Sequence, residues 1–145
     1  MPKYIVSACL AGKQCRYNGT DALCPAVASL VQRGDAVAVC PEELGGFGTP
    51  REPAEQRGEQ IVTKSDKDVT SMFTAGAQAG VAIARTQKCT HAILKSKSPS
   101  CGVGQVYDGT FTGKLVHGDG VFAKELRQAG LAVMTTEEFL RQPAS

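Results

Sequence analysis

Short apolar runs alternate along this chain with longer stretches whose apolar residues recur at helical spacing. Tyr4-Ile5-Val6-Ser7-Ala8, within Lys3 to Leu10, predicts a buried first strand. Ala11-Gly12 and Asn18-Gly19 bracket a loop after it. Val27, Leu30 and Val31 share one face of a helix that the pattern starts near Thr20 or Asp21, with Pro25 in its first turn and Gly34 as its stop. Ala36-Val37-Ala38-Val39 predicts a second buried strand. The Gly/Pro-rich segment from Pro41 to Gly58 is too long for a plain connection, and Gln60 to Lys64 offers a further short strand.

From Asp68 the period becomes helical. Val69, Met72, Phe73, Gly76, Gly80, Ile83 and Ala84 fall on one stripe, whose glycines would let the helix lie close to a sheet. His91 to Leu94 reads as the third strand of the main series. Val106 to Val116, with Asp108-Gly109 between β-type residues, predicts a hairpin. Val121 to Ala129 is a short helix, Leu131 to Met134 the last strand, and Thr135 with Glu138 a capping box for a terminal helix. This alternation predicts an α/β fold: a single domain over residues 1–145 with a mainly parallel, Rossmann-like sheet flanked by helices.

A chain of 145 residues can bury a core without disulfides or a structural metal. Its net charge of +2 is too small for nucleic-acid wrapping or a polybasic membrane patch, though a local pocket for one phosphate stays open. Met1-Pro2-Lys3-Tyr4 lacks the apolar run of a signal peptide, and no apolar segment is long enough to span a bilayer. The expected location is the cytoplasm, where thiols stay reduced. The six cysteines then read as buried fillers, metal or cluster ligands, or catalytic thiols.

Ligands of open α/β sheets bind beyond the carboxyl ends of the strands. Cys9 ends the first strand, Cys40 ends the second, and Cys101 lies in the loop after the third. Singly, each serves as readily as a small buried hydrophobe. Jointly, beside Gly, Pro and Ser, they point to a site. Three thiolates suit zinc with one open position, or three irons of a four-iron cluster with the fourth free. With no local C-x-x-C run, spacing does not choose between them. Cys15 can approach the same mouth, whereas Cys24 and Cys89 read as structural.

Glu42, just after Cys40-Pro41, is a candidate general base, with Glu43 as its competitor. Ser98 and Ser100 flank Pro99, which would fix the backbone and aim hydroxyls and N–H groups at a ligand. Arg16, Arg51, Lys95 and Lys97 are candidate anion binders. His91 and His117 have no spaced partner, and Gly45-Gly46-Phe47-Gly48 matches neither the P-loop nor the dinucleotide fingerprint.

Three blocks in order carry a family resemblance. Ser7-Ala8-Cys9-Leu10-Ala11-Gly12 with Cys15-Arg16-Tyr17-Asn18-Gly19 resembles the opening of the thiouracil desulfidase family. Cys40-Pro41-Glu42 with Gly45-Gly46, Thr49-Pro50-Arg51 and Pro53-Ala54-Glu55 resembles its second block, and Lys95 with Ser98-Pro99-Ser100-Cys101-Gly102 its third. Ala11 stands where the family usually has Leu, and Asn18 where it often has Asp; neither touches a proposed ligand.

The resemblance implies a [4Fe-4S] cluster held by three cysteines with one iron open, the matching residues being Cys9, Cys40 and Cys101. It implies non-redox, hydrolytic removal of sulfur from a thiolated uracil, as base or nucleotide of the 4-thiouracil or 4-thiouridine monophosphate type. The open iron would polarise the thiocarbonyl as a Lewis acid while Glu42 activates a water. Ser100, or else Ser98, would hydrogen-bond substrate or water, and Cys15 would carry a proton. Arg16, Arg51, Lys97 and Ser98 would bind substrate, the basic residues favouring a phosphorylated form. The implied partner is a small thiolated pyrimidine or its nucleotide, with neither polymeric nucleic acid nor membrane. Two other readings stand beside this one. A persulfide sulfurtransferase using Cys15 or Cys101 would be colourless and work without iron. A non-catalytic zinc or nucleotide-binding module would release no sulfide.

Overall fold

The computed structural model describes residues 3–142. Along the chain come β1 (Tyr4–Ser7), a 3-10 turn (Ala8–Ala11), α1 (Pro25–Gln32), β2 (Ala36–Val39), α2 (Pro41–Leu44), β3 (Ala54–Arg57) and β4 (Gln60–Thr63). They are followed by α3 (Thr70–Thr86), β5 (His91–Ile93), β6 (Gln105–Tyr107), β7 (Leu115–His117), α4 (Val121–Gln128), β8 (Ala132–Met134) and α5 (Thr136–Leu140). Four strands form a parallel sheet in the order β2-β1-β5-β8, with Tyr4 opposite both Ala36 and His91. β3-β4 and β6-β7 are separate antiparallel ladders.

The apolar runs of the main strands follow from burial on both faces. Ile5, Ala92, Leu94 and Val133 pack with Ala77 and Val81 of α3 and Phe122 and Leu126 of α4. Their neighbours Tyr4, Val6, Ile93 and Met134 turn the other way, onto Val27 and Leu30 of α1 and Phe139 of α5. The chain steps from β1 to β2 on one side and later to β5 on the other. The carboxyl end of β1 is therefore the switch point where open α/β sheets form a crevice. The Ser7 hydroxyl accepts the Lys95 N–H at 2.9 Å and ties the ends of β1 and β5 together.

Several boundaries differ from the sequence expectation for reasons of contact. β1 stops at Ser7 because Ala8 to Ala11 winds into the 3-10 turn, closed by Gly12 at φ 101°. α1 starts at Pro25 rather than near Thr20 or Asp21. The Asp21 carboxylate accepts the Leu23 N–H (3.1 Å), and the N–H groups of Ala22 and Cys24 donate to the carbonyls of Cys9 (3.0 Å) and Leu10 (2.8 Å). That segment folds back on the 3-10 turn instead of beginning a helix, which leaves Cys24 as the N-cap. The segment from Pro41 to Gly58 contains α2 and β3. α3 begins at Thr70, whose N–H donates to the Asp68 carboxylate (2.9 Å). The capping box is present, with Glu138 N–H donating to Thr135 Oγ1 and Thr135 N–H to Glu138 Oε1, both at 3.1 Å.

Gly76 and Gly80 do not meet the sheet. Gly76 lies against the Pro41 carbonyl, and Gly80 against the ring of Phe122. A Cβ at Gly76 would overlap backbone oxygen. The absence of a side chain there is what lets α2, which carries Glu42, sit directly on α3. No helix among the described residues is long and apolar enough to cross a membrane.

Gly76→Val should destabilise the protein by about 2 kcal/mol or more, because the clash is with backbone that cannot rotate away. Ala75→Val, at an exposed position of the same helix, should cost less than about 1 kcal/mol. Urea denaturation of the two variants checks the difference.

Candidate active site

The carboxyl ends of β1, β2 and β5 open into a cavity of about 460 Å³, within the usual size of a small-ligand site. Four thiols line it. Cys9 arrives on the 3-10 turn, Cys15 on the loop behind it, Cys40 at the end of β2 and Cys101 in the loop after β5. All are free thiols; Cys9, Cys15 and Cys101 are buried and Cys40 half-buried. Cys24 and Cys89 lie outside the cavity and pack against the cores on the two sides of the sheet. Among the described residues no three His, Cys, Asp or Glu side chains close on a single metal ion.

Hydrogen bonds hold the Cys15 and Cys101 loops in place. The Cys15 loop is pinned where its carbonyl accepts Arg51 Nη2 at 2.8 Å. In the Cys101 loop, Ser98 Oγ accepts the N–H groups of Ser100 (3.0 Å) and Cys101 (2.7 Å). The start of α4 closes the same loop, with the Val121 and Phe122 N–H groups donating to the Pro99 and Ser100 carbonyls, both at 2.9 Å. β3 reaches it too, as Gln56 Nε2 donates to the Pro99 carbonyl at 3.1 Å.

Burial and thiol–thiol hydrogen bonds raise three of the thiols, Cys15, Cys40 and Cys101. Burial is the larger cause at Cys101. It pushes Cys101 up to about 12, against the opposing hydroxyls of Ser7 and Ser100. The hydrogen bond with Cys40 lowers Cys15, but its bond with Cys9 and its burial outweigh this and raise it to about 11. Cys40 is raised by its hydrogen bond with Cys15 and then by burial. A thiophilic ligand entering here must displace protons that the folded protein holds tightly.

The two adjacent acids separate cleanly. Glu42 lines the cavity and pairs with Arg51 at 3.2 Å. Glu43 turns away to Lys13 and Thr49 Oγ1, both at 2.8 Å, and the Lys13 hydrogen bond holds its carboxyl below the usual range.

Two of the candidate site residues are largely buried in the protein. Arg51 lines the cavity, but its two terminal nitrogens are taken by protein oxygens. Its side chain is 7% exposed, with Nη2 on Cys15 O and Glu42 and Nη1 on Thr49 Oγ1 (2.9 Å) and Gly48 O (3.2 Å). Ser100 is not among the residues that line the cavity. It is fully buried behind the cavity wall, and its hydroxyl, without a hydrogen-bond partner of its own, lies near Cys101.

Arg16, Lys95, Lys97 and Ser98 do line the cavity, and none of these three cations forms an ion pair among the described residues. Burial, with Arg16 nearby, lowers the pKa of Lys95. Sequence reasoning assigned no role to Glu55, Tyr107 or Phe111, which also line the cavity. The only sequence signal for the two aromatics was their place in a hairpin, away from any helical stripe.

Fold and cavity together define an α/β protein with a thiol-lined ligand site at the switch point of a parallel sheet. Comparison with known proteins makes this particular: the sequence profile of the 2-thiouracil desulfurase family matches residues 4–138, and the chain belongs to that family. It is 46% identical over 144 residues to the uncharacterized protein YbbK of Bacillus subtilis (strain 168), covering 92% of this chain and 95% of that one. The solved [4Fe-4S]-dependent thiouracil desulfidase TudS is 40% identical and has the same fold, with a TM-score of 0.91 over 97% of this chain and 94% of its own.

The raised thiol pKa values set a pH dependence for the metal-free protein. A thiol held above its ordinary value of 9.0 stabilises the fold below that pH and loses its contribution as pH rises through the folded-state value. Stability should be level below pH about 8 and fall between about 9 and 12, by at most ~1.4 kcal/mol per pH unit for each thiol. Cys101→Ala should flatten that fall, as read from urea midpoints across pH.

Proposed function

We propose that this protein is a [4Fe-4S]-dependent thiouracil desulfidase that replaces the sulfur of a thiolated uracil by the oxygen of water. The observation that carries the reading is the meeting of Cys9, Cys40 and Cys101, from three separate segments, in one cavity with Glu42. Membership of the 2-thiouracil desulfurase family and likeness to TudS support it. The donor chemistry is compatible with it, since soft thiolates are the usual ligands of iron–sulfur clusters. When bound to Cys9, Cys40 and Cys101, the cluster supplies one open, thiophilic iron that polarises the C=S bond as a Lewis acid.

The chain's own residues do the rest. Glu42, oriented by Arg51, takes a proton from water as its oxygen adds to the thiocarbonyl carbon. Cys15, beside Cys9 and Cys40, returns a proton to the departing sulfur. Thiocarbonyl and water become carbonyl and hydrogen sulfide, so no electrons are gained or lost. Ser98 positions the Cys101 loop, and Ser7 and Ser100 favour the Cys101 thiolate. Arg16, Lys95 and Lys97 form the cationic rim that receives the phosphate of a nucleotide substrate such as 4-thiouridine monophosphate.

Anaerobic reconstitution with iron and sulfide, followed by sulfide release and loss of thiocarbonyl absorbance from 4-thiouracil and its nucleotide, tests the reading. Sulfide release should require iron. Glu42→Gln should keep iron and lower turnover at least ~100-fold. Alanine at Cys9, Cys40 or Cys101 should abolish iron binding, while Cys24→Ala and Cys89→Ala retain it. A protein that binds no iron overturns the proposal.

The phosphate site has its own test. Arg16→Ala and Lys97→Ala should raise KM for the nucleotide and leave KM for the free base unchanged. Equal wild-type kcat/KM for base and nucleotide would remove that site.

A further inference from the structure

Five of the eight aromatic side chains pack in the apolar clusters of the core. The other three, Tyr17, Tyr107 and Phe111, line the cavity instead. Phe111 is the most constrained of these. It sits at the tip of the β6–β7 hairpin with φ 58°, in the left-handed region where a bulky residue is an outlier.

The strain is held from outside the hairpin. Glu55 Oε1 accepts the N–H groups of Gly109 (3.0 Å) and Phe111 (3.1 Å). Arg57, two residues along β3, donates Nε and Nη2 to the Gly109 carbonyl at 3.3 and 2.9 Å. Gly109 itself must be glycine, because at φ 93° a Cβ would press on the backbone of β3. The fold thus clamps a half-buried ring that fills no core and aims it into a ligand site. Strained backbone of this kind clusters at ligand sites, and here the cavity is beside it.

We propose that Phe111 is the aromatic face on which the pyrimidine ring stacks, and that Glu55 is a positioning residue that holds the loop presenting it. The proposal rests on the desulfidase reading for its ligand but not for its geometry. Stacking reads the flat π-face, which uracil and thiouracil share. It therefore serves binding of substrate and product alike, while the reacting sulfur is handled by the thiol side of the cavity. Glu55, occupied by two backbone N–H groups, is a clamp, which leaves Glu42 as the cavity's acid–base group.

The test measures uracil binding to the iron-loaded protein by calorimetry, alongside sulfide-release kinetics and iron content. Phe111→Ala should weaken uracil binding and raise KM for 4-thiouracil by roughly 5- to 150-fold with iron content unchanged. Phe111→Tyr should stay within about threefold of wild type. Glu55→Ala should raise KM far more than it lowers kcat, and Glu55→Gln, whose amide oxygen can still accept both N–H groups, should restore binding. If wild type releases sulfide but Phe111→Ala leaves binding and KM unmoved, stacking is overturned and the desulfidase reading stands. If wild type binds uracil with this Phe111 dependence but releases no sulfide, the desulfidase reading falls and stacking stands. Wild-type protein that binds no pyrimidine overturns both.

Discussion

The guanidinium of Arg51 joins pieces of chain that nothing local would bring together. Arg51 lies between α2 and β3, yet it grips the carbonyl of Cys15 in the first loop, the carboxylate of Glu42 in α2, and the oxygens of Gly48 and Thr49 beside it. Arginine suits this task because its planar fork keeps several donors in fixed directions and never loses its charge. The pair with Glu42 is largely removed from water, which strengthens the attraction and fixes the direction of the carboxylate. The Cys15 loop, the acid and the wall of the cavity are consequently one mechanical unit.

Around that unit the fold contributes a floor and two walls. The parallel sheet is the floor, and its switch point brings the ends of β1, β2 and β5 to one place. The α2–α3 contact through Gly76 sets the height of Glu42 above it. The β3–β4 and β6–β7 hairpins stand apart from the main sheet, and β3 links them to the site. Gln56 reaches the Cys101 loop from one face of the strand, while Glu55 and Arg57 reach the β6–β7 tip from the other. The alternation of side chains along an extended strand puts these functions on opposite faces.

The electrostatics of the cavity divide in the same way. Cys15, Cys40 and Cys101 are held protonated by neighbouring thiols and by burial. Arg16, Lys95 and Lys97 line the cavity without acidic partners among the described residues. Positive charge beside buried thiols favours whatever makes them anionic, and a bound thiophilic metal group does so most strongly. The same cations thus lower the cost of holding thiolates in the cavity.

What the sequence determined by itself is whatever local pattern encodes. The apolar runs of β1, β2, β5 and β8 announced strands buried on both faces, and the Thr135–Glu138 spacing announced the last helix, because each depends on near neighbours. Cys9, Cys40 and Cys101 could be placed at one mouth because parallel α/β topology brings strand ends together whatever the loops do. The tertiary structure alone decided the rest. It delayed α1 by bonding residues 22 and 24 to the 3-10 turn, gave Gly76 a helix rather than the sheet as its neighbour, and separated Glu42 from Glu43 by their partners. It also engaged Arg51 with protein oxygens, buried Ser100 outside the cavity lining and brought Phe111 to that lining. These outcomes rest on contacts such as Arg51 to Cys15 and Glu55 to Phe111, which join residues 36 and 56 positions apart. No period or motif within a few residues carries that information, because a side chain's partner is chosen by the folded path of the whole chain.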